Sequence, residues 1–133
     1  MMRKNFKGIK TQLYNIEYKF NEPSKDGIID LEVLDKIEIL EIKENIIDFN
    51  VIRKLDFKNI QDSYLQVVFK SSIKCSQNMS KQNFIDAIKK HIPMISGAVF
   101  GKISLLISNI TNSTPLGVIV TPPVYNVKEI EVV

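Results

Sequence analysis

Side chains able to do covalent, acid–base or metal chemistry are few and scattered along this chain. His91 is the only histidine and Cys75 the only cysteine. A zinc or catalytic centre needs several converging ligands, or a nucleophile with a base beside it. The sequence assembles neither around His91 nor around Cys75. His91 reads as a solvated residue at a helix end, and Cys75 as a small core or edge residue with no cationic neighbour to activate a thiolate. The acids Glu38 and Glu41 fall on exposed positions of a predicted strand, where solvation is the ordinary role. A Gly-rich phosphate loop, a nucleophile elbow and metal-ligand spacing are all missing. No catalytic residue, metal or cofactor is expected, and the reading is not an enzyme.

Charge narrows the partners. The net charge is +3, and the basic residues Arg3, Lys4, Lys7, Lys10 and Lys19 stand apart from an acidic block of nine carboxylates over residues 22–48. Nucleic-acid binding calls for a continuous basic face, preferably rich in arginine, and this chain holds only Arg3 and Arg53. No nucleic-acid partner is expected. One cysteine excludes an internal disulfide, and the basic start lacks an apolar stretch of the secretory kind, so the expected compartment is cytoplasmic. The triplets beginning at Asn78, Asn109 and Asn112 match a glycosylation pattern but mean little without secretion.

The elements that would position any site come from periodicity. The length of 133 residues fits a single domain spanning 1–133. Tyr14, Ile16, Tyr18 and Phe20 alternate with polar residues and predict a half-buried strand, ended by the turn residues Pro23, Asp26 and Gly27. Residues 29–42 place Ile29, Leu31, Val33, Ile37 and Ile39 on one parity, although Leu34 and Leu40 leave a helical reading and a shifted register open. Residues 47–57 repeat the pattern with only Arg53 interrupting it, and Leu65, Val67, Phe69, Ile73 and Cys75 repeat it again. Four strands joined by short polar connections predict an antiparallel sheet with one dry face.

Beyond Cys75 the period changes. Ser80 is placed to cap a short helix whose end carries Lys89, Lys90 and His91, and Pro93 is expected to stop that helix and open a second one reaching Thr111. Apolar residues at 92, 95, 99, 103, 106 and 110 form a stripe suited to the sheet. Gly97, Gly101, Ser104 and Ser108 form a second stripe of small side chains opposite it. Small residues admit a close neighbour, and residues 103–126 carry no charge at all. The helix is therefore expected to be sandwiched between its own sheet and a second copy of the chain, with burial by the return segment GVIVTPPVYN as the competing reading. Pro93, Lys102, Asn109 and several serines argue against membrane insertion.

The order of four strands, a polar turn, a long uncharged helix and a Pro-bounded apolar segment resembles the SecB family of protein-export chaperones. The most specific pieces are YNIEYKFNEP, similar to that family's first strand, and ISLLISNITNSTPLGVIVTPPVYN, similar to its first long helix and the segment that follows. The resemblance implies an α+β fold, a four-stranded antiparallel sheet with helices packed on one face. It implies a homodimer or homotetramer with the long helices at the interface, here through Gly97, Gly101, Ser104 and Ser108. It further implies a molecular chaperone, a holdase that binds unfolded polypeptide clients in an apolar groove, for which Leu116, Val118, Val120 and Tyr125 are the candidates.

Export-type relatives hand clients to the ATPase SecA through an acidic outer sheet surface, where Glu17 is the candidate contact and Asn21 stands in place of a second acid. VKEIEVV leaves the family's terminal helix truncated or absent. Other relatives serve toxin–antitoxin systems, so a dedicated chaperone of one partner is the alternative. A small-ligand-binding or purely structural oligomer of the same fold is a further one.

Overall fold

Alternation of side chains builds the sheet in this computed structural model, which describes residues 6–21, 30–58, 60–75, 80–112, 118–123 and 129–132. The elements are β1 (Phe6–Lys19), β2 (Leu31–Lys43), β3 (Ile46–Phe57), β4 (Tyr64–Cys75), α1 (Lys81–Thr111) and β5 (Glu129–Val132). They form one five-stranded sheet in the order β1-β4-β3-β2-β5. β1 to β4 are antiparallel throughout, and α1 lies over β3 and β4. The α+β architecture is the expected one.

The central strands follow the predicted parity. In β3 every second residue from Ile47 to Phe57 is buried, and β4 does the same from Leu65 to Ile73. These side chains meet Val99, Phe100, Ile103 and Ile107 of α1 in one core. Each fully buried aliphatic or aromatic side chain contributes about 1.5–3 kcal/mol, which fixes the register because a slip by one residue would turn the whole set to water. β2 takes the odd parity with Ile37 and Ile39 buried, and Asp35 is buried on that same face. A bulge at Leu40 then brings Ile42 back to the dry side opposite Ile47.

Three expectations require correction. Pro93 does not divide the helix: α1 runs unbroken for 31 residues from its cap at Ser80, whose Oγ accepts the Asn83 N–H at 3.2 Å. An interior proline forfeits one backbone hydrogen bond at a cost of roughly 3 kcal/mol, and packing of the following turns on the sheet offsets it. Lys89, Lys90 and His91 are consequently mid-helix rather than terminal. In β1 a bulge between Leu13 and Asn15 separates Tyr14 from Ile16 and Tyr18, and the Tyr14 ring faces Lys70 Nζ at 4.2 Å instead. Finally, the sheet has one strand more than the expected four: β5, in the stretch where the family's terminal helix was expected to be truncated or absent, pairs parallel to β2 from Lys36↔Glu129 to Ile39↔Val132.

Candidate functional site

Arg53 is the largest fully buried side chain among the described residues. Strand parity drives it inward between Val51 and Leu55, and the sheet register sets Asp35 directly opposite on β2. The two meet in a fork: Arg53 Nε donates to Asp35 Oδ1 at 2.6 Å and Nη2 to Oδ2 at 2.8 Å. The Phe100 ring of α1 lies 5.0 Å from the guanidinium carbon, a cation–π contact in a site shielded from water. Arg53 Nη1 then reaches out of the sheet, donating to Thr121 Oγ1 at 3.1 Å and to the Pro122 carbonyl. A buried charge survives only with its hydrogen-bonding capacity filled. The chain section 118–122 therefore completes the Arg53 environment.

The helix secures the same section from the other side. Ser104 Oγ donates to the Thr121 carbonyl at 2.6 Å, Ser108 Oγ to the Ile119 carbonyl at 3.1 Å, and the Ile119 N–H donates to Thr111 Oγ1 at 2.8 Å. Side chains along this strap alternate accordingly. Ile119 packs against the core and Thr121 is buried, whereas Val118 and Val120 are 55% and 79% exposed. Two apolar residues thus face water because their neighbours are pinned inward.

The sequence-predicted residues separate into three groups. Val118 and Val120 stand on the strap as exposed apolar side chains, while Leu116 and Tyr125 lie outside the described residues. Of the small-residue stripe, Ser104 and Ser108 spend their hydroxyls on the strap within the same subunit, as the competing return-segment reading anticipated. A Cβ placed on Gly97 or Gly101 would meet nothing within 4 Å. Beside Gly101, Leu105 is 65% exposed, so among the described residues nothing closes over this flank of α1. Glu17 is exposed on β1, where its carboxylate accepts from Tyr64 Oη and from Asn15 Nδ2, each at 3.2 Å. That contact and the negative charge hold the Tyr64 phenol above its usual range. The side chains of Cys75 and His91 lie outside the described residues.

Other features escaped the sequence reading. Arg53 was legible as an interruption of β3, but its link to Thr121 spans 68 residues and leaves no local signal. On β1, the edge strand of the sheet among the described residues, Leu13, Ile16 and Tyr18 are 38–44% exposed on the helix-bearing face. They follow from where α1 sits, since β1 lies beyond its cover.

Small-molecule chemistry finds less support in the geometry. A cleft of about 540 Å³ is lined by Lys10, Thr11, Glu41, Asp48, Lys70 and Ser71 among others, a mixture of opposite charges in which the Thr11 and Ser71 hydroxyls hydrogen-bond to each other at 2.9 Å. Glu38 pairs with Lys36 at 3.8 Å. Among the described residues no cluster of His, Cys, Asp or Glu is placed to hold a metal ion. No helix there is long and apolar enough to cross a membrane.

No protein-family model matches the sequence, and no curated protein matches it either. Solved structures do. The SecB-like chaperone Rv1957 of Mycobacterium tuberculosis, in complex with a ChAD peptide from the HigA1 antitoxin, superposes with a TM-score of 0.60 at 13% identity, covering 90% of this chain and 86% of that one. A protein of unknown function from Streptococcus agalactiae gives a TM-score of 0.45 at 7% identity over 86% of this chain and 97% of that one. The fold of this chain is SecB-like.

Proposed function

We infer that the protein is a molecular chaperone of the holdase kind, binding non-native polypeptides on apolar surface and releasing them unchanged. The observation that carries this reading is the strap: on a SecB-like scaffold, Val118 and Val120 are held facing water by bonds from Arg53, Ser104, Ser108 and Thr111 to their neighbours. A client without fixed shape offers only apolar side chains and main chain, so its binder needs an extended apolar surface rather than a deep pocket. Leu116 and Tyr125 belong to the same proposed surface by sequence.

Assembly is part of the proposal. Among the described residues, Gly97, Gly101 and Leu105 leave one flank of α1 uncovered, and β1 is an edge strand with exposed apolar side chains. A second copy covering that flank would form a homodimer, and two such pairs a homotetramer. Ser104 and Ser108 would border the contact, their hydroxyls already engaged.

A dedicated role in a toxin–antitoxin system is the second reading, and the partner of the mycobacterial neighbour, an antitoxin peptide, favours it. An export role through SecA rests on Glu17, the only acid in β1 and β4, where lysines otherwise dominate. The cytoplasm is the compartment that either role requires.

The test is suppression of aggregation of a chemically unfolded client at stoichiometric protein without nucleotide. Suppression supports the holdase, and its absence removes it. Recovery of one antitoxin-like partner bound to the protein would favour the dedicated form.

A further inference from the structure

Within residues 118–121 the main chain of the strap is bonded along one edge only, and that asymmetry has a chemical meaning. The Ile119 N–H, the Ile119 carbonyl and the Thr121 carbonyl all point at α1, where Thr111 Oγ1 accepts the first and the Ser108 and Ser104 hydroxyls donate to the other two. In an extended chain the N–H and C=O of one residue share a side, and those of the next residue take the opposite side. Val120 therefore turns its N–H and C=O away from the helix. Among the described residues neither group has a hydrogen-bond partner, and Val120 is 79% exposed.

The geometry points to residues 118–121 as a docking strand: an uncharged polypeptide in extended form adds to the free edge, exchanging main-chain hydrogen bonds with Val120 and seating alternate side chains on Val118 and Val120. This rests on the chaperone reading and specifies how the client is held. Hydrogen-bond complementarity selects the occupant. A helix has its amides satisfied internally, and a lipid brings no alternating donors and acceptors, whereas an unfolded segment offers both at the strand repeat.

Pre-organisation favours it as well. The helix-facing edge is fixed by Ser104, Ser108 and Thr111, and Arg53 holds the Thr121 hydroxyl and the Pro122 carbonyl at the end of the strap, so little ordering entropy is lost when a client docks. Pro122 and Pro123 lack an N–H and end the edge. So short an edge gives few main-chain bonds, which suits a binder that must release its client.

The test uses the whole protein and a fluorescent peptide alternating Val and Thr, in three forms: unmethylated, and N-methylated on one or the other alternate set of amides. Binding is read by anisotropy. Methylation of the set facing the strap is expected to weaken binding about tenfold or more, since each blocked amide loses a hydrogen bond and adds bulk at the edge. Methylation of the other set should change it less than about threefold, and the unmethylated peptide should slow exchange of the Val120 amide. Equal effects of the two sets, or none from either, overturn the proposal. Val120 protection that rises with protein concentration without peptide assigns the edge to a second copy, and equally overturns it. If the unmethylated peptide fails to bind while client aggregation is still suppressed, this inference falls and the chaperone reading stands. If both fail, both fall.

Discussion

Asp35 and Arg53 face each other across neighbouring strands with both side chains completely excluded from solvent, their fork closed at 2.6 and 2.8 Å. The pair sits beneath the strap and is the only route by which the sheet holds it through a charge among the described residues. Removing one partner strands the other. Asp35→Ala is expected to lower unfolding free energy by about 3–5 kcal/mol, and an Asp35→Leu/Arg53→Met double variant to recover much of it by removing both charges. Urea denaturation of the three proteins measures this. A loss in the single variant below about 1 kcal/mol would mean that the pair is not buried as described.

The β2–β3 hairpin turns on Glu44 and Asn45, and Glu44 has φ 56°, the left-handed region where a side chain costs about 1–2 kcal/mol. Glu44→Gly removes that strain, partly offset by the greater freedom of glycine in the unfolded chain. A net gain of about 0.5–1 kcal/mol is expected, read as a higher urea midpoint at unchanged slope. A loss of stability would contradict the turn geometry.

At the helix flank, the empty space over Gly101 separates subunit stability from assembly. Gly101→Ala should stabilise the subunit by about 0.5–1 kcal/mol through helix propensity alone. Gly101→Trp should leave the fold intact by circular dichroism yet shift sedimentation toward monomer, because the bulk intrudes only on a partner. Unchanged association of the Trp variant would place the oligomer contact elsewhere.

The Tyr64 phenol donates to the Glu17 carboxylate, and first that bond, then the carboxylate charge, raise its pKa above the ordinary 10.0. A raised value in the fold means that the neutral phenol is favoured there. Its stabilisation is complete below the ordinary phenol range and is lost as pH climbs through the raised value. Ultraviolet titration should show the Tyr64 phenol, identified by its loss in Tyr64→Phe, ionising above the ordinary phenol range, and Glu17→Gln should lower it. If the variant leaves the titration unchanged, the contact does not form.

How far the sequence was legible depends on the range of the force involved. In β3 the alternation from Ile47 to Phe57 is a local pattern dictated by burial on one face, and it predicts the strand correctly to the residue where Arg53 breaks it. The bulge at Tyr14 and the exposure of Ile16 and Tyr18 were not readable, because they depend on which strands α1 covers. Pro93 misled for the opposite reason: its local penalty is real, but tertiary packing of α1 outweighs it. β5 was hidden by its brevity, since four residues carry too little period to distinguish strand from tail. Of the candidate site, Val118 and Val120 could be named from composition, whereas what holds them outward is a set of contacts bridging distant parts of the chain.

The central claim is that the outward valines of the strap hold non-native polypeptide. The direct measurement is light scattering of a chemically unfolded client titrated with the wild-type protein and with a Val118→Asp/Val120→Asp variant, whose thermal unfolding is compared in parallel. Because both side chains are exposed, the variant should melt within a few degrees of wild type. The account predicts near-stoichiometric suppression by the wild type and at least a several-fold higher protein requirement for the variant, since a carboxylate on the docking surface repels apolar client segments. Equal suppression by the two proteins, or none by the wild type, would contradict it.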